Sequence, residues 1–174
     1  MPSESTLPQL RGLAVSKPGR EAWLYEELYD ALVAASLSSR VESTRFKGVF
    51  LIYSDASPRE IAESIAEYKT HTATRVLLAS MTLARPRREE LERAVRELLE
   101  ASRVARVRLI LKPRGLGEGL VSERDIASML ELLGARVDPG SRAVLAVESV
   151  DDLFLITLGT TRSCGFKCIL VSPS

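Results

Sequence analysis

Lys112-Pro113-Arg114-Gly115 and Ser122-Glu123-Arg124 are the residues whose types and spacing suit chemistry, and that chemistry is the holding of phosphate. Two cations and a glycine stand between an alternating strand, Arg106 to Lys112, and an amphipathic helix that Ser122 is placed to cap. The first amides of a helix lack partners and its dipole is positive there, so cations delivered to that end make an anion site. Gly115 permits close approach of backbone to a ligand. Arg85, Arg87 and Arg88 lie in the entry turn of another helix, opened by Pro86, where they oppose its dipole. They form a second rank of candidate anion contacts. Lys112, Arg114 and Arg124 form the first.

Other chemistries fail on their spacing. Gly115-x-Gly117-x-Gly119 follows a strand as a dinucleotide fingerprint does, but Leu120 stands where the third glycine belongs and Glu118 would face the diphosphate. A flexible loop, or a cradle of backbone amides for phosphate, are the two readings left. His71 is the only imidazole and sits in the polar Lys69-Thr70-His71-Thr72 connection, with no relay motif around it. Asp151 and Asp152 read as turn formers. Cys164 and Cys168 cannot supply a four-ligand zinc site; two unpaired thiols are the expected state, with a redox pair as the alternative in a hyperthermophile. Trp23, Tyr25 and Tyr29 are expected at the core and its rim rather than as a base-stacking platform. The expectation is a protein without catalytic residues, cofactor or metal.

Charge is unevenly placed. The chain of 174 residues carries a net charge of +1, yet Thr82 to Arg114 holds ten Arg and Lys against five acids. That segment is +5 and the remainder −4, a placement that points to a polyanion partner. A hydrophobic content of 45% supports a real core, and no apolar run approaches the roughly 20 residues that span a bilayer. Without a signal peptide pattern either, a cytoplasmic location is expected. Asn is absent and Gln9 is the only Gln, which fits a thermophilic source.

The elements that position these residues fall into two modules, 1–81 and 82–174. In the first, strands are expected over 11–16, 40–46, 48–54 and 74–81. Helices over 19–35 and from Ser57 to Tyr68 complete the ferredoxin-like order strand, helix, strand, strand, helix, strand. Ser57-Pro58-Arg59-Glu60 predicts a capping box, and Leu24, Leu28, Ala31, Leu32 and Ala35 share a helical face. In the second, a helix from 87 to 102 precedes the basic strand. The helix over 121–133 and a hairpin of 143–150 with 153–159 follow. The fold class is α+β.

Val107-Arg108-Leu109, Lys112-x-Arg114-Gly115, Ser122-Glu123, Gly134, Val137-Asp138-Pro139 and Val147-Glu148 occur in an order that resembles the THUMP domain, an RNA-binding module of tRNA-modification enzymes. Pro113 interrupts the basic cluster that the family carries before its glycine. With a ferredoxin-like domain directly before the α/β THUMP domain, the resemblance covers nearly the whole chain. The pair is similar to the adaptor family of the tRNA cytidine acetyltransferase and to small archaeal proteins that carry these two domains alone. The resemblance implies a non-catalytic protein that binds the acceptor stem and 3′ end of tRNA and presents it to a separate enzyme. Its partners would be tRNA and a cytidine acetyltransferase, with neither membrane nor DNA. Lys112, Arg114, Gly115, Ser122 and Arg124 would carry the contact, with Arg85, Arg87 and Arg88 behind them. A ferredoxin-like metabolic enzyme or ligand-binding regulator, its Arg-rich helix a salt-laced surface, is the rival reading; a dimerisation module is a third.

Overall fold

The computed structural model describes residues 8–174. In chain order the elements are β1 (Gln9–Ser16), α1 (Glu21–Ala34), β2 (Ser39–Ser43), β3 (Val49–Ser54), α2 (Pro58–Tyr68), β4 (Ala73–Leu78) and β5 (Met81–Ala84). They continue as α3 (Arg88–Ser102), β6 (Arg106–Lys112), a single 3-10 turn (Gly115–Gly117), α4 (Glu123–Leu132), β7 (Arg136–Val137), β8 (Val144–Val150), β9 (Leu153–Gly165) and β10 (Cys168–Pro173). This is the expected α+β class. The described residues divide into two compact units, one holding 8–78 with Arg162–Leu170, the other Ala79–Thr161 with Val171–Ser174.

The first unit has the βαββαβ order, and its strands run β2-β3-β1-β4 with antiparallel neighbours throughout. Leu24, Leu28 and Leu32 of α1 and Ile61 and Ile65 of α2 bury completely or nearly so against Ala14, Phe50, Ile52, Val76 and Leu78. The Ser57 capping box forms: Glu60 N donates to Ser57 Oγ at 3.2 Å and Ser57 N to Glu60 Oε2 at 2.7 Å. Gly12 is required for close strand approach, since a Cβ there would meet the Leu77 carbonyl and Leu78 Cδ2.

In the second unit β6 pairs in parallel with both β7 and β8, and β8 pairs antiparallel with β9, on which β5 also lies. Parallel neighbours need a crossover, and α4 supplies it. Leu91, Val95 and Leu99 of α3 and Ile126, Met129 and Leu130 of α4 close a core with Val107, Leu145, Val147, Phe154 and Ile156.

Four expectations change. The strand expected over 74–81 is two strands, because Ser80 N donates to Ile156 O at 2.9 Å and the chain there joins β9. The second module does not keep everything after residue 82: Arg162–Leu170 packs with the first unit, placing Cys164, Cys168 and Leu170 in its core. The hairpin strand expected to stop at 159 runs on to Gly165. Cys164 and Cys168 are joined in a disulfide with Cα atoms 5.1 Å apart, instead of standing as free thiols. The turn between β9 and β10 brings the two side chains together.

Candidate nucleic-acid interface

The basic loop is built on the end of β6, where Lys112 lies opposite Glu148 of β8 in parallel register. Lys112 is exposed. Arg114 turns inward: its Nη2 is 3.1 Å from Glu148 Oε1, Nη1 faces the Lys112 and Ser149 carbonyls, and its backbone N donates to Ser149 Oγ at 3.1 Å. Its side chain is 16% exposed and that of Glu148 not at all, so this arginine is held by the protein itself. Gly115 has φ 68°, a left-handed turn suited to glycine. Gly117 is buried, and a Cβ there would press on the Ser149 side chain and come within 3.0 Å of Phe154 Cζ. The glycine triplet thus shapes a packed turn.

Ser122 caps α4 as expected, accepting from Asp125 N at 3.1 Å while its own N donates to Asp125 Oδ2 at 2.8 Å. The hydrogen bond from the Ser122 backbone, then that from its hydroxyl, then Arg88 hold the Asp125 carboxyl below its ordinary pKa. Arg88 Nη2 is 2.5 Å from Asp125 Oδ1 and its Nε 3.3 Å from Glu92 Oε1, and these two partners raise its own pKa. The first turn of α4 therefore already holds Glu123 and Asp125 where the sequence suggested a phosphate cradle. Arg85 donates to Asp152 at 2.7 Å, and Arg87 stands 3.4 Å from Glu90. With side chains 86% and 77% exposed, both still face solvent.

A concave feature lies between β6, the first turns of α4 and the segment around β7. A cavity of about 400 Å³ is lined by Arg108, Leu109, Glu123, Arg124, Ala127, Val137 and Pro139. Arg124 is exposed, and Arg108 Nε is buried with no hydrogen-bond partner among the described residues. Leu109, Ala127, Val137 and Pro139 give the cavity an apolar lining, and Arg108 and Arg124 against Glu123 leave it net positive, which fits a planar apolar group that carries negative charge, as a nucleotide does. Arg108 was visible in the sequence only as one member of the Arg106, Arg108, Lys112 alternation. The signal that marks it is its place on the same strand face as Lys112. Arg108 and Arg124 line one cavity and Lys112 is exposed at the end of β6; Arg114 is drawn into the fold, and Arg88 is tied to α4.

The expected core-and-rim place of Trp23, Tyr25 and Tyr29 is corrected. They are 59%, 43% and 52% exposed on a helix that also carries Glu21, Glu26, Glu27 and Asp30 and no base. Their apolar neighbours on α1 bury first because Leu24, Leu28, Ala31 and Leu32 complete the inward face. An acidic surface of this kind repels phosphate. No helix among the described residues is long and apolar enough to cross a membrane, and no group of three His, Cys, Asp or Glu among them could hold a metal ion.

No family model and no curated protein matches the chain. Its fold, however, is similar to solved structures. PH1313 from Pyrococcus horikoshii Ot3 has a TM-score of 0.62 at 14% identity, over 90% of this chain and 56% of that one. TrmN from Thermus thermophilus has a TM-score of 0.59 at 22% identity, over 86% and 45%. A 4-thiouridine synthetase, solved with RNA and ATP bound, has a TM-score of 0.50 at 17% identity, over 85% and 40%. The chain thus spans about half the length of these proteins or less, and at these identities what they share with it is the fold.

Proposed function

We propose that this protein binds tRNA on the β6–α4 face and presents it to a separate modification enzyme. The observation that carries the reading is the cavity lined by Arg108 and Arg124, with Lys112 exposed at the end of the same strand that carries Arg108. Lys112 and Arg124 meet backbone phosphate, Arg108 meets a nucleotide entering the cavity, and Gly115 and Ser122 shape the loop and helix start around them. Arg85 and Arg87 extend the basic surface. The +5 balance from Thr82 to Arg114 favours a polyanion, and the shared fold with a synthetase solved with RNA favours RNA over other polyanions. In this reading the acceptor stem and 3′ tail are recognised by charge and shape, and the enzyme served is a cytidine acetyltransferase.

Titration of tRNA at several salt concentrations tests the binding. Each phosphate neutralised adds a log–log slope of about −0.7 to −0.9, so a salt-indifferent affinity, or equal binding to unstructured DNA, removes the reading. Nucleoside mass spectrometry of tRNA incubated with the protein alone, then with a cytidine acetyltransferase added, tests the adaptor role. Stimulated acetylation is expected, because a protein that holds both tRNA and enzyme raises the local substrate concentration. A modified nucleoside formed by this chain alone would instead make it an enzyme.

A further inference from the structure

Phe166 stands at the tip of the β9–β10 turn with 67% of its surface exposed. Such a ring gains nothing from burial, yet the chain fixes it in place. The Cys164–Cys168 disulfide closes the turn around it, with both cysteines buried. Thr70 N donates to Cys164 O at 2.7 Å. Gly165 has φ 142° and lies so close to Thr70 that a Cβ would strike the Thr70 carbonyl. Lys17 Nζ donates to Phe166 O and to His71 O, each at 2.6 Å, which anchors the tip to the loop before β4.

The charge around this ring differs from that around the other exposed aromatics. Lys17 Nζ lies 5.1 Å from the Phe166 ring centroid and Lys167 Nζ 5.4 Å from it. Arg162 is exposed four residues before, and no acid occurs anywhere from Leu153 to Ser174. Trp23, Tyr25 and Tyr29 stand among carboxylates, and Tyr68 has its pKa raised by desolvation and by Asp30 and Glu27 beside it. An exposed ring with ammonium groups over it is an arrangement that stacks a nucleobase when the base takes the place of a cation over the ring and the cation moves to its phosphate.

We infer that Phe166 is a base-stacking site for an unpaired nucleotide of RNA, with Lys17 and Lys167 as its phosphate contacts and the disulfide as the staple that holds the ring ready. The inference rests on the tRNA-binding reading but uses residues that the β6–α4 face does not. Preorganisation is what the staple contributes: a ring already fixed loses little entropy when a base stacks on it.

The experiment compares Phe166→Leu and Phe166→Trp with the unaltered protein, each checked for native circular dichroism, against tRNA and against a short single-stranded RNA carrying a fluorescent adenine analogue. Loss of base stacking should weaken binding by about five- to a hundredfold in Phe166→Leu, while Phe166→Trp keeps its affinity and quenches the analogue. Reducing the disulfide should weaken the unaltered protein in the same direction and leave Phe166→Leu unmoved. Failure of the unaltered protein to bind tRNA would remove the underlying reading. Normal tRNA binding with Phe166→Leu equal to the unaltered protein, or with Trp and Leu equally impaired, would overturn the stacking site alone.

Discussion

The guanidinium of Arg114 stands 3.1 Å from the carboxylate of Glu148, whose side chain has no exposed surface. A glutamate at that depth depends on its cation, so Arg114 ties the loop after β6 to β8. Its basic neighbour Lys112 has no such duty, and the two residues of one short motif divide between fold and ligand.

Arg114→Ala is therefore expected to destabilise the protein by about 3 kcal/mol, since it breaks an ion pair to a fully buried carboxylate. Lys112→Ala should unfold at the same urea concentration as the parent and lose only tRNA affinity. Equal stability of the two variants would show that the pair contributes nothing to the fold.

Gly117→Ala is expected to cost about 1–3 kcal/mol, as overpacking does, because the new methyl would push on Ser149 and Phe154. Gly119→Ala meets open space but has φ 80°, so it strains only the backbone and should cost less than Gly117→Ala. Thermal unfolding of both variants measures this ranking; the reverse order would mean that the turn relaxes away from β8.

These roles show which parts of the molecule were legible in the sequence. The Ser57 capping box depends on residues three apart, and the 144–150 with 153–159 pairing on two apolar runs around Asp151-Asp152, so both could be read locally. The Arg114–Glu148 pair joins residues 34 apart through the parallel register of β6 and β8, which no local pattern reveals. The disulfide is not legible locally because it depends on β9 continuing past Gly159 to Gly165 and turning at Phe166, which brings Cys164 and Cys168 together. The aromatic residues of α1 were misplaced because a helix with four buried residues already fills its inward face.

Acid should loosen the helix starts. Glu60, Glu90 and Asp125 each have a carboxyl held below its ordinary pKa, first by a backbone hydrogen bond at the cap of its helix. A depressed folded pKa gives stability that is complete above the unfolded value, near about pH 4, and lost as pH falls through the folded one. The thermal midpoint should thus be flat near neutrality and fall below about pH 4. Asp125→Asn should lower the neutral midpoint and flatten part of that fall. An unchanged pH profile in Asp125→Asn would show that this carboxylate contributes no linkage.

Arg108 gives the sharpest separation of stability from function. Its Nε is buried without a hydrogen-bond partner among the described residues, and such a donor costs a fold about 1–3 kcal/mol. Arg108→Met keeps most of the side chain's length and apolar contact while removing that donor, so its urea midpoint should equal or exceed the parent's. Its tRNA affinity should nevertheless fall, with a shallower salt slope if the guanidinium meets phosphate. Arg124→Met, at an exposed residue lining the same cavity, should reduce affinity with no gain in stability. A less stable Arg108→Met that binds tRNA normally would make Arg108 a structural residue and move the nucleotide site off this cavity.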